Sequence, residues 1–165
     1  MQDASVIQEL DILVAVAVWL NRQGFTIWSL SISRGRGRNA GLDKSQLVEA
    51  LERENIATRK VFFKGRGPDI EAESDRELWL IECKGAGTGK LATQRNNFDR
   101  ALASVVSYYD AGVTALALAL PETPAYLSEL KRRVRKPLRQ RLKLWVLLYS
   151  PISKTIRAVS PDDDF

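Results

Sequence analysis

The chain has 165 residues, 45% of them hydrophobic and 27% charged, with a net charge of +5, which suits one globular domain able to bury a core. A single cysteine, Cys83, excludes an internal disulfide, and the absence of histidine excludes Ser-His, Cys-His and zinc-histidine chemistry, so any catalysis falls to carboxylates and lysine. The apolar run Leu10 to Leu20 carries Asp11 and is too short to span a bilayer, so the expectation is a cytoplasmic protein without membrane contact.

Ser5 can cap a first helix running to about Arg22, with Leu10, Leu13, Val14, Ala17 and Leu20 at helical spacing and Gly24 as its stop. Phe25 to Ser33 alternates and reads as a strand with apolar residues on both sides. The loop from 34 to 41 is rich in Gly and Arg and too polar to pack; Arg34, Arg36 and Arg38 suit it to a phosphate backbone, although an ordinary surface loop has the same composition. Asp43 opens a helix to about Asn55, and Arg59 to Lys64 and then Pro68 to Glu73 are extended.

The next stretch carries the chemistry. Asp69 lies on one extended segment, and Glu82 and Lys84 follow on the next after a polar turn at Ser74 to Glu77. Residues i and i+2 of a strand share a face, so Glu82 and Lys84 point one way and Ile81 and Cys83 the other. Pairing of the two segments as a hairpin brings Asp69 near Glu82: two carboxylates for a hard divalent cation, with an ammonium beside them. That is a layout for phosphodiester cleavage. Asp69, Glu71 and Glu73 alternate with Ile70 and Ala72 on one face, and three acids in line cannot all hold one ion.

A helix from about Leu91 to Asp110 follows, with Phe98, Ala101, Leu102, Val105, Val106 and Tyr109 as its inward stripe. Thr114 to Leu120 is apolar on all sides and fits a central strand covered on both faces. A helix begins at Thr123 and Pro124, and Pro137 breaks or bends it. Lys131 to Lys143 holds eight basic residues and no acid, among them Arg132, Arg133, Arg135 and Lys136. With the three loop arginines these charges exceed the net +5, so an acidic body carries basic patches, which suits a polyanion, while a solvated helix face is the plain alternative. Leu144 to Ser150 and Thr155 to Val159 close as a hairpin, and the tail 161–165 reads as frayed. The order is α/β: a single domain over 1–165 with a central mixed sheet flanked by helices.

Pro68-Asp69, then the apolar run Leu78 to Ile81 leading into Glu82-Cys83-Lys84 and Gly85, resembles the PD-(D/E)xK nuclease superfamily. The resemblance implies a restriction-endonuclease-like fold and a metal-dependent endonuclease acting on DNA, with RNA left open, in restriction, repair or recombination. It implies Mg²⁺, with Mn²⁺ as a substitute, held by Asp69, Glu82 and the Cys83 backbone carbonyl, and Lys84 as the catalytic lysine; of the three acids in line it selects the one after the proline, which leaves Glu71 and Glu73 as solvent-facing strand positions with Glu71 in reserve. It also points to Glu9 as an acidic residue of the first helix near the metal. Some branches carry Gln-x-x-x-Tyr on the helix after the motif; Gln94 has the spacing to Phe98 but no hydroxyl, Ser104 has the spacing to Tyr108 but no glutamine, and Gln94 is carried over as the auxiliary residue. Double-strand cutting would call for a homodimer. The alternative is a non-catalytic nucleic-acid-binding module or regulatory subunit on the same fold.

Overall fold

The computed structural model describes residues 7–31, 44–87, 89–110 and 112–165. In chain order they form α1 (Glu9–Arg22), β1 (Thr26–Ser31), α2 (Lys44–Arg53), β2 (Phe62–Lys64), β3 (Ile70–Glu73), β4 (Leu78–Cys83), α3 (Leu91–Ser107), β5 (Ala115–Pro121), α4 (Pro124–Arg133), α5 (Lys136–Leu142), β6 (Leu144–Ser150) and β7 (Thr155–Val159). The strands make one mixed sheet in the order β2-β1-β3-β4-β5-β6-β7. β1 and β2 are parallel, as are β4, β5 and β6, while β1 with β3, β3 with β4, and β6 with β7 are antiparallel. Mixed sheet and flanking helices are the architecture expected from the element order.

β5 shows why the sheet is covered on both sides. Every one of its residues is buried. Its alanines 115, 117 and 119 face the core shared with α1, and its leucines 116, 118 and 120 face the core shared with α3 and α4. The small residues leave room for bulk from their neighbours: Trp79 of β4 meets Trp19, Phe25 and Trp145 at ring separations of 5.7, 5.4 and 4.9 Å. α1 supplies Ile12, Leu13, Val16, Ala17 and Leu20 to this side, all fully buried at helical spacing. Its cap is Gln8, whose N–H donates to the Asp11 carboxylate at 3.1 Å, while Ser5 lies outside the described residues. Gly24 ends the turn after α1 at φ +85°, where a side chain would be strained.

The helix begun at Pro124 is broken ahead of Pro137, as expected: α4 ends at Arg133, whose carbonyl a continuous helix would have set against the proline ring. The chain leaves α4 at Val134, and Pro137 occupies the first turn of α5, where its missing N–H has no helical acceptor to lose. The tail 161–165, by contrast, corrects an expectation: it is not frayed. Arg139, at 1% exposure, donates to the carbonyls of Ser160 and Asp163 at 2.5 Å each and sits 4.5 Å above the Phe165 ring. Gln140 holds Asp162 at 2.9 Å and Lys136 lies 3.5 Å from Asp164. A buried guanidinium needs acceptors, and the tail wraps over α5 to provide them. Among the described residues no helix is long and apolar enough to cross a membrane.

Candidate active site

The antiparallel register that pairs Ile70 with Ile81 places Asp69 beside Glu82, one step further along both strands. Both side chains lie on the sheet face opposite α1. Asp69 is 8% exposed; one carboxylate oxygen accepts the Cys83 N–H at 2.7 Å, and its own carbonyl accepts the Ser31 N–H at 2.9 Å. The carboxylate is thus tied to the very strand that carries Glu82. Cys83 therefore turns its N–H, and with it its carbonyl, toward β3. The register would set Pro68 across from that carbonyl, and a proline has no N–H to give.

Glu82 is half-buried and accepts the Tyr108 hydroxyl at 2.7 Å, with a second hydrogen bond from the Ser104 side chain. Burial pushes its pKa above the ordinary carboxylate range, and the Tyr108 hydrogen bond opposes the rise. Asp69 is pushed well above that range, by burial first and then by the neighbouring charges of Glu82 and Glu9. Tyr108, partly buried and donating to a carboxylate, is likewise held well above the ordinary phenol range.

Lys84 stands at the mouth of the strand. Its N–H continues the ladder to the Ala119 carbonyl at 2.9 Å, and its ammonium lies 3.1 Å from Glu9 on the first turn of α1. Gly85 makes that meeting fit. A Cβ there would fall 2.7 Å from the Ile7 carbonyl oxygen and 2.8 Å from the Glu9 nitrogen, so only glycine lets the start of α1 close on the end of β4. The Ala86 N–H donates to Ile7 at 2.9 Å, and Tyr126 of α4 donates to the Gly85 carbonyl at 2.8 Å.

The donor set fits a hard divalent cation. Two adjacent carboxylates, half or more withdrawn from water, have their charged forms disfavoured by burial, with Glu82 adding to the effect on Asp69, and a 2+ charge relieves both. The chain has no histidine to draw a softer metal. Among the described residues no group of three or more acidic or thiol side chains is gathered as a ready-made metal cluster, so the fit rests on Asp69, Glu82 and a main-chain carbonyl, with water completing the shell. Glu9 faces the set through its ion pair with Lys84. The Cys83 thiol is fully buried on the α1 side and burial pushes its pKa up, in keeping with a core residue.

Other expected residues are placed elsewhere. Gln94 donates to the Gly89 carbonyl at 2.8 Å and accepts from Thr123 at 3.0 Å; it ties the loop after β4 to the cap of α4, and Tyr108 with Ser104 is the pair that reaches Glu82. The i, i+4 spacing of those two hydroxyls was the legible signal. Glu71 is not solvent-facing: at 7% exposure it accepts from Ser29 at 2.5 Å and pairs with Lys64, because β1 and β2 continue the sheet beside it. Arg132 and Arg133 pair with Glu129, and Arg133 also with Asp99. Lys136 pairs with Asp164, and Arg135 is exposed at the cap of α5. α5 leads into the start of β6, at the opposite end of the parallel strands from the finish of β4. Arg34, Arg36 and Arg38 lie outside the described residues.

No protein-family model and no curated protein sequence matches the chain. Among solved structures it is similar to an XisH family protein from Nostoc punctiforme PCC 73102, whose crystal structure was determined at 1.60 Å: TM-score 0.50, 19% identity, 91% of this chain and 99% of that one covered. The likeness extends over nearly all of both chains and agrees with the α/β fold, a mixed sheet flanked by helices, expected from the element order.

Proposed function

We propose that the protein is a divalent-cation-dependent nuclease that hydrolyses phosphodiester bonds of DNA. The observation that carries the reading is the Asp69–Glu82 pair, two buried or half-buried carboxylates side by side on one sheet face with Lys84 next along the strand. Asp69, Glu82 and the Cys83 carbonyl would hold Mg²⁺, with Mn²⁺ in its place when supplied. Bound there, the ion contributes Lewis-acid charge to the phosphate.

The chain's own groups supply the remainder. The Cys83 N–H fixes the Asp69 rotamer, and Tyr108 and Ser104 fix that of Glu82, so neither carboxylate has to be ordered when substrate arrives. Lys84 offers an ammonium to the negative charge that grows on the phosphate during reaction, and Glu9 aims it. Charge placed in advance acts without reorganisation. The test is nicking of supercoiled plasmid in Mg²⁺ or Mn²⁺ against the same mixture in EDTA. Cation-dependent nicking supports the reading; DNA binding with no cleavage under any of these conditions replaces it with a binding module.

A further inference from the structure

The face that carries Asp69 and Glu82 continues past them onto β1 and β2. Parallel pairing of Ser31 with Lys64, and antiparallel pairing of Leu30 with Ile70 and Ile70 with Ile81, put Lys64, Ser31, Asp69 and Glu82 in one row across four strands. Phe62, Ser29, Glu71 and Leu80 make the next row. α3 and α4 cover this face over β4, β5 and β6, but no described helix packs on it over β1, β2 and β3.

What stands on that half is specific. Phe62 is 63% exposed and Trp28, at the register shift of β1, is 37% exposed. The Lys64 ammonium lies 4.7 Å over the Trp28 ring and is held by the buried carboxylate of Glu71, which Ser29 also binds. Phe62 and Lys64 are two places apart on one strand, about 6.6 Å. An edge strand normally avoids a bare aromatic ring, which invites association. Because Glu71 already compensates Lys64, Coulomb attraction alone would make this a weak phosphate patch, and the two rings are its larger resource.

We propose that this half of the sheet is a platform for single-stranded nucleic acid, on which Phe62 and Trp28 stack unpaired bases and Lys64 takes a phosphate between them. Bases in a duplex spend both faces on one another, whereas unpaired bases offer theirs to aromatic side chains on an open sheet. The rings stand on the same sheet face as Asp69 and Glu82, with the buried side chains of Ser29, Ser31 and Glu71 between, so a strand laid across the rings in the direction of those rows runs toward the carboxylates. Resting on the nuclease reading, this names the substrate class: a single strand, or the unpaired arm of a branched molecule.

The test is fluorescence anisotropy of a labelled thymidine oligonucleotide and of a blunt duplex of equal length, both in EDTA so that nothing is cut. Phe62→Ala and Trp28→Ala should each weaken single-strand binding roughly tenfold and leave duplex binding nearly unchanged. Phe62→Tyr, which keeps the ring, should bind like the parent, and Phe62 is exposed enough for its variants to fold. Equal losses on both probes, no loss on the single strand, or a parent that prefers duplex overturns the platform. Since the measurement needs no cleavage, plasmid nicking that persists after such a result leaves the nuclease reading standing; intact stacking with no cut in either plasmid or the thymidine oligonucleotide in Mg²⁺ or Mn²⁺ removes that reading and keeps the platform.

Discussion

The Lys84 ammonium and the Glu9 carboxylate meet at 3.1 Å across the junction of β4 and α1, each about a quarter exposed. Three-quarters withdrawn from solvent, the pair is better placed than a surface ion pair to fix a direction. The ion pair thereby holds the Lys84 ammonium at the end of β4.

Lys84→Ala should lose about 10² to 10³ in single-turnover cleavage rate while DNA affinity stays within a few-fold of the parent, because the missing charge acts on the transition state. Rate and affinity measured on one preparation separate the two effects. Equal cleavage by parent and variant would make Lys84 structural.

Asp69→Asn and Glu82→Gln should each abolish cation-dependent cleavage and the heat of Mn²⁺ binding in calorimetric titration. Their thermal stability should not fall below the parent's by much, since both carboxylates are disfavoured in charged form by burial. Unchanged binding heat would remove them from a metal site.

Gly85→Ala should destabilise the fold by about 1–3 kcal/mol, because the added carbon collides with main-chain atoms of Ile7 and Glu9, not with a side chain that can swing aside. Thermal denaturation reads the cost. A variant as stable as the parent would mean that the start of α1 is not docked on the strand.

Much of this was legible in the sequence because the deciding signals are local. The alternation of Ala115 to Leu120 and the Pro-bounded turn at Thr123 fix a strand and a helix start by themselves. Asp69, Glu82 and Lys84 come together because a hairpin converts sequence spacing into adjacency. Glu71 was misread for the opposite reason: its burial depends on Ser29 and Lys64, which reach it only through the long-range placing of β1 and β2. The pairing of the basic run was likewise beyond the sequence. Composition shows eight cations, but whether each faces solvent depends on Glu129, Asp99 and the tail.

Glu129 gives that last point a pH signature. Arg132, by hydrogen bond and charge, and Arg133 after it hold the Glu129 carboxyl below its ordinary pKa of 4.5. A depressed folded-state pKa contributes stability above the unfolded value and loses it as pH falls through the folded value. Glu129→Gln should therefore be less stable than the parent at pH 7, with the gap closing on acidification below about pH 4. Urea denaturation at several pH values checks this; a gap independent of pH would mean that packing, not charge, was lost.

Arg139→Ala should cost about 2 kcal/mol or more, leaving the carbonyls of Ser160 and Asp163 without their donor, whereas Arg135→Ala, at an exposed position, should stay within about 0.5 kcal/mol of the parent. Their denaturation midpoints compare directly.

The four tryptophans divide in a way that serves optical work. Trp19, Trp79 and Trp145 form one cluster on the α1 side of the sheet, where Trp79 is 2% exposed, while Trp28 stands on the other face with its ring partly open. An ionic quencher such as iodide should reach Trp28 and largely spare the cluster. The quenchable part of the emission then reports occupancy of the sheet face around Lys64, and the protected part reports unfolding, so one unlabelled sample yields both signals at separate intensities.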